Sequence, residues 1–277
     1  MNFKKITRVI LTVVSVLFIT FVSFMYLFQD KLIFAGSTLP QDYEYSFDEP
    51  FEELNFTTED GNTINGLYFT VPKPDGAIVY FHGNAGDLSR WGNNAAYYTQ
   101  FNYNVLIIDY RTYGKSTGTI NEQKMLDDTR LPYNFLLGNF KEEDIVIYGR
   151  SLGTSFASYL ASKNKPRKLI LETPFYNMLD VTKRRFPLLP FADRLLKYKM
   201  ESNAFVKSVS CPIIIYHGTN DDIVPLESGV LLGEEIPGSQ LTFYTIQGGT
   251  HHNLGSFELY QKTILKSLSD LPISKQK

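Results

Sequence analysis

Four histidines, a pair of adjacent aspartates and one serine fenced by glycines are the residues of this chain whose types could do chemistry together. The serine is Ser151, in "VIYGRSLGTS", with Gly149 and Gly153 two positions to either side. A strand-forming run precedes it and a helix-forming run follows, the context in which G-x-S-x-G makes a sharp turn. Side chains in place of either glycine would collide with neighbouring elements, so glycine is a requirement of that turn. The hydroxyl is thereby lifted to the positive end of the following helix, where negative charge developing on a substrate oxygen is stabilised.

A serine hydroxyl is a poor nucleophile until a neighbouring imidazole takes its proton. In folds built on this turn the acid follows the serine and the histidine follows the acid. His82 precedes Ser151 and fails on order, while His217 ends an apolar run just before the acid candidates and reads as a structural residue. That leaves "QGGTHHNL", a glycine-containing loop with His251 and His252. The acid sits in "YHGTNDDIVP", as Asp221 or Asp222. One of the two accepts the imidazole's other N–H; its neighbour is solvated or caps the helix that begins near Pro225. Asp109, in "IIDYRTYGKS", also follows a strand, but its place ahead of Ser151 suits the ordering of a loop. The oxyanion donors expected are the backbone N–H groups of Asn84, in "YFHGNAGDLSRW", and Leu152. A phosphate-binding reading of "HGNAGD" fails, because the Gly-Lys-Ser/Thr ending is missing.

These groups need a frame. Strand-like runs recur as "FEELNFTT", "TINGLYFTV", "GAIVYFH", "NVLIIDY", "DIVIYG", "KLILE", "PIIIYHG" and "LTFYTIQ". Several are apolar throughout, as strands of a parallel sheet covered on both faces are. The first two alternate more and are joined by "EDGN", which predicts an antiparallel hairpin. Crossover helices are predicted over about 88–101, 121–138, 152–164, 226–235 and 255–269. The roughly forty residues between "KLILE" and "PIIIYHG" break the rhythm. Two short helices, 177–185 and 191–200, divided by Pro187 and Pro190, are expected there as a lid over about 173–205.

Twenty uncharged residues from Val9 to Phe28 are long enough, as a helix, to span a bilayer. They exceed the usual apolar stretch of a cleaved signal, and no small-x-small site follows directly; "FAGS" at 34–37 lies beyond Asp30 and Lys31. An uncleaved transmembrane anchor is expected over 9–28, with 1–8 cytoplasmic because Lys4, Lys5 and Arg8 precede it. A connecting segment, 29–50, then leads to one catalytic domain, 51–277, on the opposite side of the membrane. The net charge of -2 and the lack of long basic blocks set nucleic acid aside as a partner. The single cysteine, Cys211, excludes an internal disulfide and reads as a buried free thiol.

Together "HGNAGD" with Arg90, "DYRTYGKSTG", "YGRSLGTS", "ETPF", "HGTNDDIVP" and "GGTHHNL" resemble the α/β-hydrolase superfamily over nearly all of the chain after the anchor. More narrowly, the chain resembles the membrane-anchored subgroup that includes protein depalmitoylases and lysophospholipid hydrolases. The resemblance implies an α/β fold, with a mostly parallel sheet, helices on both faces and a short helical lid. It assigns Ser151 as nucleophile, Asp221 as acid and His251 as base. Thr250 and Thr112 stand where the family's glycine is usual. The expected activity is cleavage of a small-molecule or lipid acyl ester or thioester through an acyl-enzyme. No cofactor or metal is expected, because the protein supplies each group needed. A serine peptidase on the same fold and a non-catalytic anchored binding protein are the competing classes.

Overall fold

The computed structural model describes residues 3–189 and 191–268. Residues 1–2 of the expected cytoplasmic segment, Pro190 of the expected lid and 269–277 at the end of the expected catalytic domain lie outside the described residues.

All eight strand-like runs form one sheet: β1 (Phe51–Thr57), β2 (Thr63–Phe69), β3 (Gly76–Phe81), β4 (Tyr103–Ile108), β5 (Ile145–Arg150), β6 (Lys168–Glu172), β7 (Ile213–Gly218) and β8 (Leu241–Ile246). Their order across the sheet is β1-β2-β4-β3-β5-β6-β7-β8. β1 and β2 form the antiparallel hairpin, β2 meets β4 antiparallel, and every pair from β4 to β8 is parallel. β3, β4, β5 and β7 are buried at every position, which is why their sequences run apolar without alternation. β2 departs from the alternation expected of it. It is flanked by β1 and β4 and buried from Ile64 to Phe69, with Asn65 satisfied by donating to Glu53 and Asn55.

The helices, in chain order, are α1 (Phe3–Leu27), α2 (Gln29–Ile33), α3 (Leu88–Ala96), α4 (Glu122–Asp128), α5 (Arg130–Leu137), α6 (Gly153–Lys163), α7 (Met178–Arg185), α8 (Ala192–Leu195), α9 (Ser202–Phe205), α10 (Leu226–Glu234) and α11 (Glu258–Leu268). The single helix predicted over 121–138 is two. Pro132 lacks the N–H that would bond to the Asp128 carbonyl and its ring crowds that oxygen, so the helix breaks at Thr129. The second lid helix, predicted over 191–200, stops at Leu195. Beyond it the backbone N–H of Lys197 donates to Gln29 and those of Lys199 and Met200 donate to Glu122, bonds that replace helical ones. α1 starts at Phe3, ahead of the expected 9–28 span, because Lys4, Lys5 and Arg8 are good helix formers.

Two apolar cores cover the two faces of the sheet, one under α5, α6 and the lid, the other under α3 and α11. Cys211 is buried in the first, and burial pushes its thiol up to about 12. The hairpin is tied to the sheet's loop end by buried Arg111, whose guanidinium donates to Asp128 at 2.6 Å and to Asp60, in the β1–β2 turn, at 2.8 Å.

Candidate active site

Ser151 sits between β5 and α6 with φ of +50°, the left-handed conformation a tight strand-to-helix turn demands. The flanking glycines are there for room. A Cβ on Gly149 would come within 2.6 Å of the Ala157 methyl and of the Gly153 carbonyl, and one on Gly153 would collide with the Phe81 carbonyl. β3 and β5 are adjacent, so the turn passes directly beside the end of β3 and no side chain fits between.

The loops after β7 and β8 bring the other two groups to this turn. His251 Nε2 lies 2.8 Å from Ser151 Oγ, and His251 Nδ1 lies 2.8 Å from Asp221 Oδ2. With the proton on Nδ1, the ring donates to Asp221 and its Nε2 is free to accept from the serine hydroxyl. Asp221 also accepts, at Oδ1, from the N–H groups of Ile223 and Val224 at 3.0 and 2.8 Å. Burial opposes ionisation of this carboxyl, but hydrogen bonds from His217 and His251 outweigh it and hold the group well below the usual carboxylate range. It is the anion that the imidazole needs. Asp222 is exposed, and so is His252, whose imidazole is pushed down by burial and by neighbouring His251.

The remaining candidates are accounted for by structure. His217 Nε2 is 2.8 Å from the Val224 carbonyl and 3.5 Å from Asp221, so it holds the acid loop. Asp109 accepts from the Leu88 N–H at 3.1 Å and lies 3.3 Å from His82, under the oxyanion loop; burial raises its carboxyl.

Asn84 and Leu152 line the same cavity as Ser151. Neither backbone N–H is engaged by another described residue. The Asn84 side chain is pinned, its Oδ1 accepting from the Ala35 N–H at 2.8 Å and from the Tyr113 hydroxyl at 3.1 Å.

Two features escaped the reading of the sequence. Arg150, the variable residue before the serine, lies 3.3 Å from Glu172 through Nε and donates to the His251 carbonyl at 3.2 Å. Glu172 in turn accepts from Tyr148 and Tyr260, making a buried polar bracket under the histidine loop. "ETPF" marked the place without showing the partners, since they come from different elements 22 to 88 positions away in the chain. The second is the cavity's far wall, made of residues from α1 and α2, which sequence periodicity could not distinguish from the rest of an apolar span. The two departures at glycine positions also separate here. Thr112 holds φ of +71°, so a glycine is the unstrained residue, whereas Thr250 is not among the residues of positive φ.

Residues 72–197 match the family model described as serine aminopeptidase, S33. An uncharacterised protein of Acanthamoeba polyphaga mimivirus, R595, is 31% identical over 265 residues, covering 83% of this chain and 89% of that protein. The esterase Pf2001 of Pyrococcus furiosus superposes with a TM-score of 0.66 over 84% of this chain and 98% of its own, at 19% identity, a likeness of fold. The chain belongs to the α/β-hydrolase superfamily. Within it, the lysophosphatidylserine lipase ABHD12 of Macaca fascicularis is 32% identical over 175 residues, 55% of this chain and 43% of that protein. By family this chain is accordingly an enzyme, a hydrolase.

Proposed function

We propose that this α/β hydrolase is anchored in a membrane by α1 and cleaves an acyl ester or thioester of a lipid or lipidated substrate through Ser151, His251 and Asp221. The observation that carries the reading is the 2.8 Å contact between Ser151 Oγ and His251 Nε2 at the wall of an apolar cavity. Ser151 Oγ attacks the carbonyl carbon as its proton passes to His251 Nε2, and the carbonyl oxygen gains charge between the amides of Asn84 and Leu152. Asp221 keeps the Nδ1 tautomer and stabilises the imidazolium. The imidazolium then protonates the leaving alcohol or thiol. Water, deprotonated by the same nitrogen, attacks the acyl-Ser151 ester and frees the acid.

A lipid substrate suits the surroundings. The cavity beside Ser151 is about 260 Å³ and is lined by Phe175, Met178, Val181 and Phe186 of the lid region, with no carboxylate among the described lining residues. An aminopeptidase would need an anion there for the substrate's ammonium, so the ester reading is favoured. The relatives' lipase and esterase names agree with it.

Ser151→Ala is expected to lower p-nitrophenyl ester hydrolysis by about 10⁴-fold or more without altering thermal unfolding. Asp221→Asn should cost far more activity than Asp222→Asn. Undiminished turnover by Ser151→Ala, or a larger loss at Asp222, contradicts the assignment.

A further inference from the structure

The cavity beside Ser151 has an unusual second wall. Val22, Met25, Tyr26 and Gln29 face it, a spacing of i, i+3, i+4 and i+7 that places them on one side of α1 and the start of α2. Val22 and Met25 are the half-buried residues of α1, and the rest of the helix is exposed. A passive tether requires no such docked face.

The docking is made of particular bonds. Gln29 is 6% exposed, and its side-chain amide donates to the Leu195 carbonyl at 2.6 Å while accepting from the Lys197 N–H at 2.9 Å. Both roles of a buried amide are thus met by the lid. The Phe21 and Phe186 rings meet edge-on at 6.5 Å, and the Lys197 ammonium lies 4.4 Å from the Tyr26 ring centroid. Just past α2, Ala35 donates to Asn84 and Gly36 pairs with Gly86. Anchor, lid and oxyanion loop are therefore one connected structure.

Depth in a bilayer follows from length. As a helix of 25 residues α1 is about 37 Å long, against a hydrocarbon core of about 30 Å; with Lys4, Lys5 and Arg8 outside the core, the uncharged stretch from Val9 reaches the opposite interface at its end, so the turns from Val22 onward lie in the outer part of that leaflet. Those turns carry the cavity wall. Beside them the lid exposes Leu188 (92%) and Phe191 (67%), with Lys183, Arg184 and Arg185 ending α7 close by. Apolar tips flanked by cations are what an interfacial surface presents to anionic lipid.

We infer that the end of the anchor is itself part of the acyl-binding site. A single-chain acyl ester or thioester enters from the adjoining leaflet along α1, and Val22 and Met25 set the chain length accepted. The inference rests on the proposed attack by Ser151 on an acyl carbonyl. A cavity of about 260 Å³, at the small end of ligand sites, suits a single acyl chain.

The test compares kcat/KM for p-nitrophenyl laurate and p-nitrophenyl acetate, using the full chain in detergent micelles. Met25→Trp and Val22→Trp, which fill the cavity, should each lower the laurate-to-acetate ratio by about tenfold or more. Leu27→Trp, at the same depth but on the side of α1 turned away from the cavity, should leave the ratio within about twofold of the unaltered chain, the scatter of a surface change. Equal ratios in Met25→Trp and Leu27→Trp overturn the inference while leaving the role of Ser151 standing. If Met25→Trp loses both activities, Met25→Ala decides, since removing side-chain atoms should move the preferred ester to a longer chain; an unchanged chain-length profile overturns the inference. An unaltered chain that hydrolyses neither ester, or a Ser151→Ala variant that hydrolyses both, refutes the proposed function, and this inference with it.

Discussion

Ser151, His251 and Asp221 lie 100 and 30 positions apart in the chain and meet at 2.8 Å, because three loops at the same end of parallel strands share one edge of the sheet. That convergence was legible from residue types: a serine between glycines, a histidine in a glycine loop and a pair of aspartates, in an order the turn imposes. The choice within each pair was not. Asp221 faces the imidazole because its other oxygen is held by two backbone N–H groups, and those bonds belong to the loop's fold. Of the two roles expected for the second aspartate, solvated or capping a helix, the exposed Asp222 takes the first, and the helix Leu226–Glu234 has no side-chain cap. Thr112 is a residue whose energetic role only the backbone discloses. A β-branched side chain at φ of +71° is strained, and glycine there removes the strain at some cost in chain entropy. Thr112→Gly is expected to raise the unfolding free energy by about 0.5–1 kcal/mol, read from urea denaturation. A loss of stability would mean that the threonine side chain makes compensating contacts.

At the scale of elements, period and composition were enough for the eight strands and for the order of hairpin and parallel sheet. They failed where tertiary bonds overrode local preference. Pro132 divides one expected helix into two, and Glu122 and Gln29 draw the chain after Leu195 out of helix by bonding to its amides. The hairpin's attachment is another such bond. Arg111 joins Asp60 of the β1–β2 turn to Asp128 of α4, and its side chain is 2% exposed. Arg111→Ala would leave the largely buried Asp128 carboxylate without its cation. The expected loss is about 3 kcal/mol in urea unfolding, the usual result of removing one partner from a buried pair. A change within about 0.5 kcal/mol would show that water replaces the guanidinium freely.

At the scale of the whole molecule, the apolar segment was plain in the sequence, while its contact with the lid was invisible there, since one face of a uniformly apolar helix looks like any other. Because Lys4, Lys5 and Arg8 precede α1, we propose that the body lies on the far side of the membrane from them. In sealed vesicles with the cytoplasmic face outward, protease added outside should leave the sheet domain intact; its digestion would reverse the topology. The central claim is narrower, that Ser151 is the one activated hydroxyl of the molecule. Exposure of the full chain to a fluorophosphonate followed by peptide mass spectrometry tests it directly. The account predicts one adduct per chain, on the peptide containing Ser151, absent in Ser151→Ala and formed about 10³-fold more slowly or worse in His251→Ala. An unmodified chain, or an adduct at another serine, would contradict it.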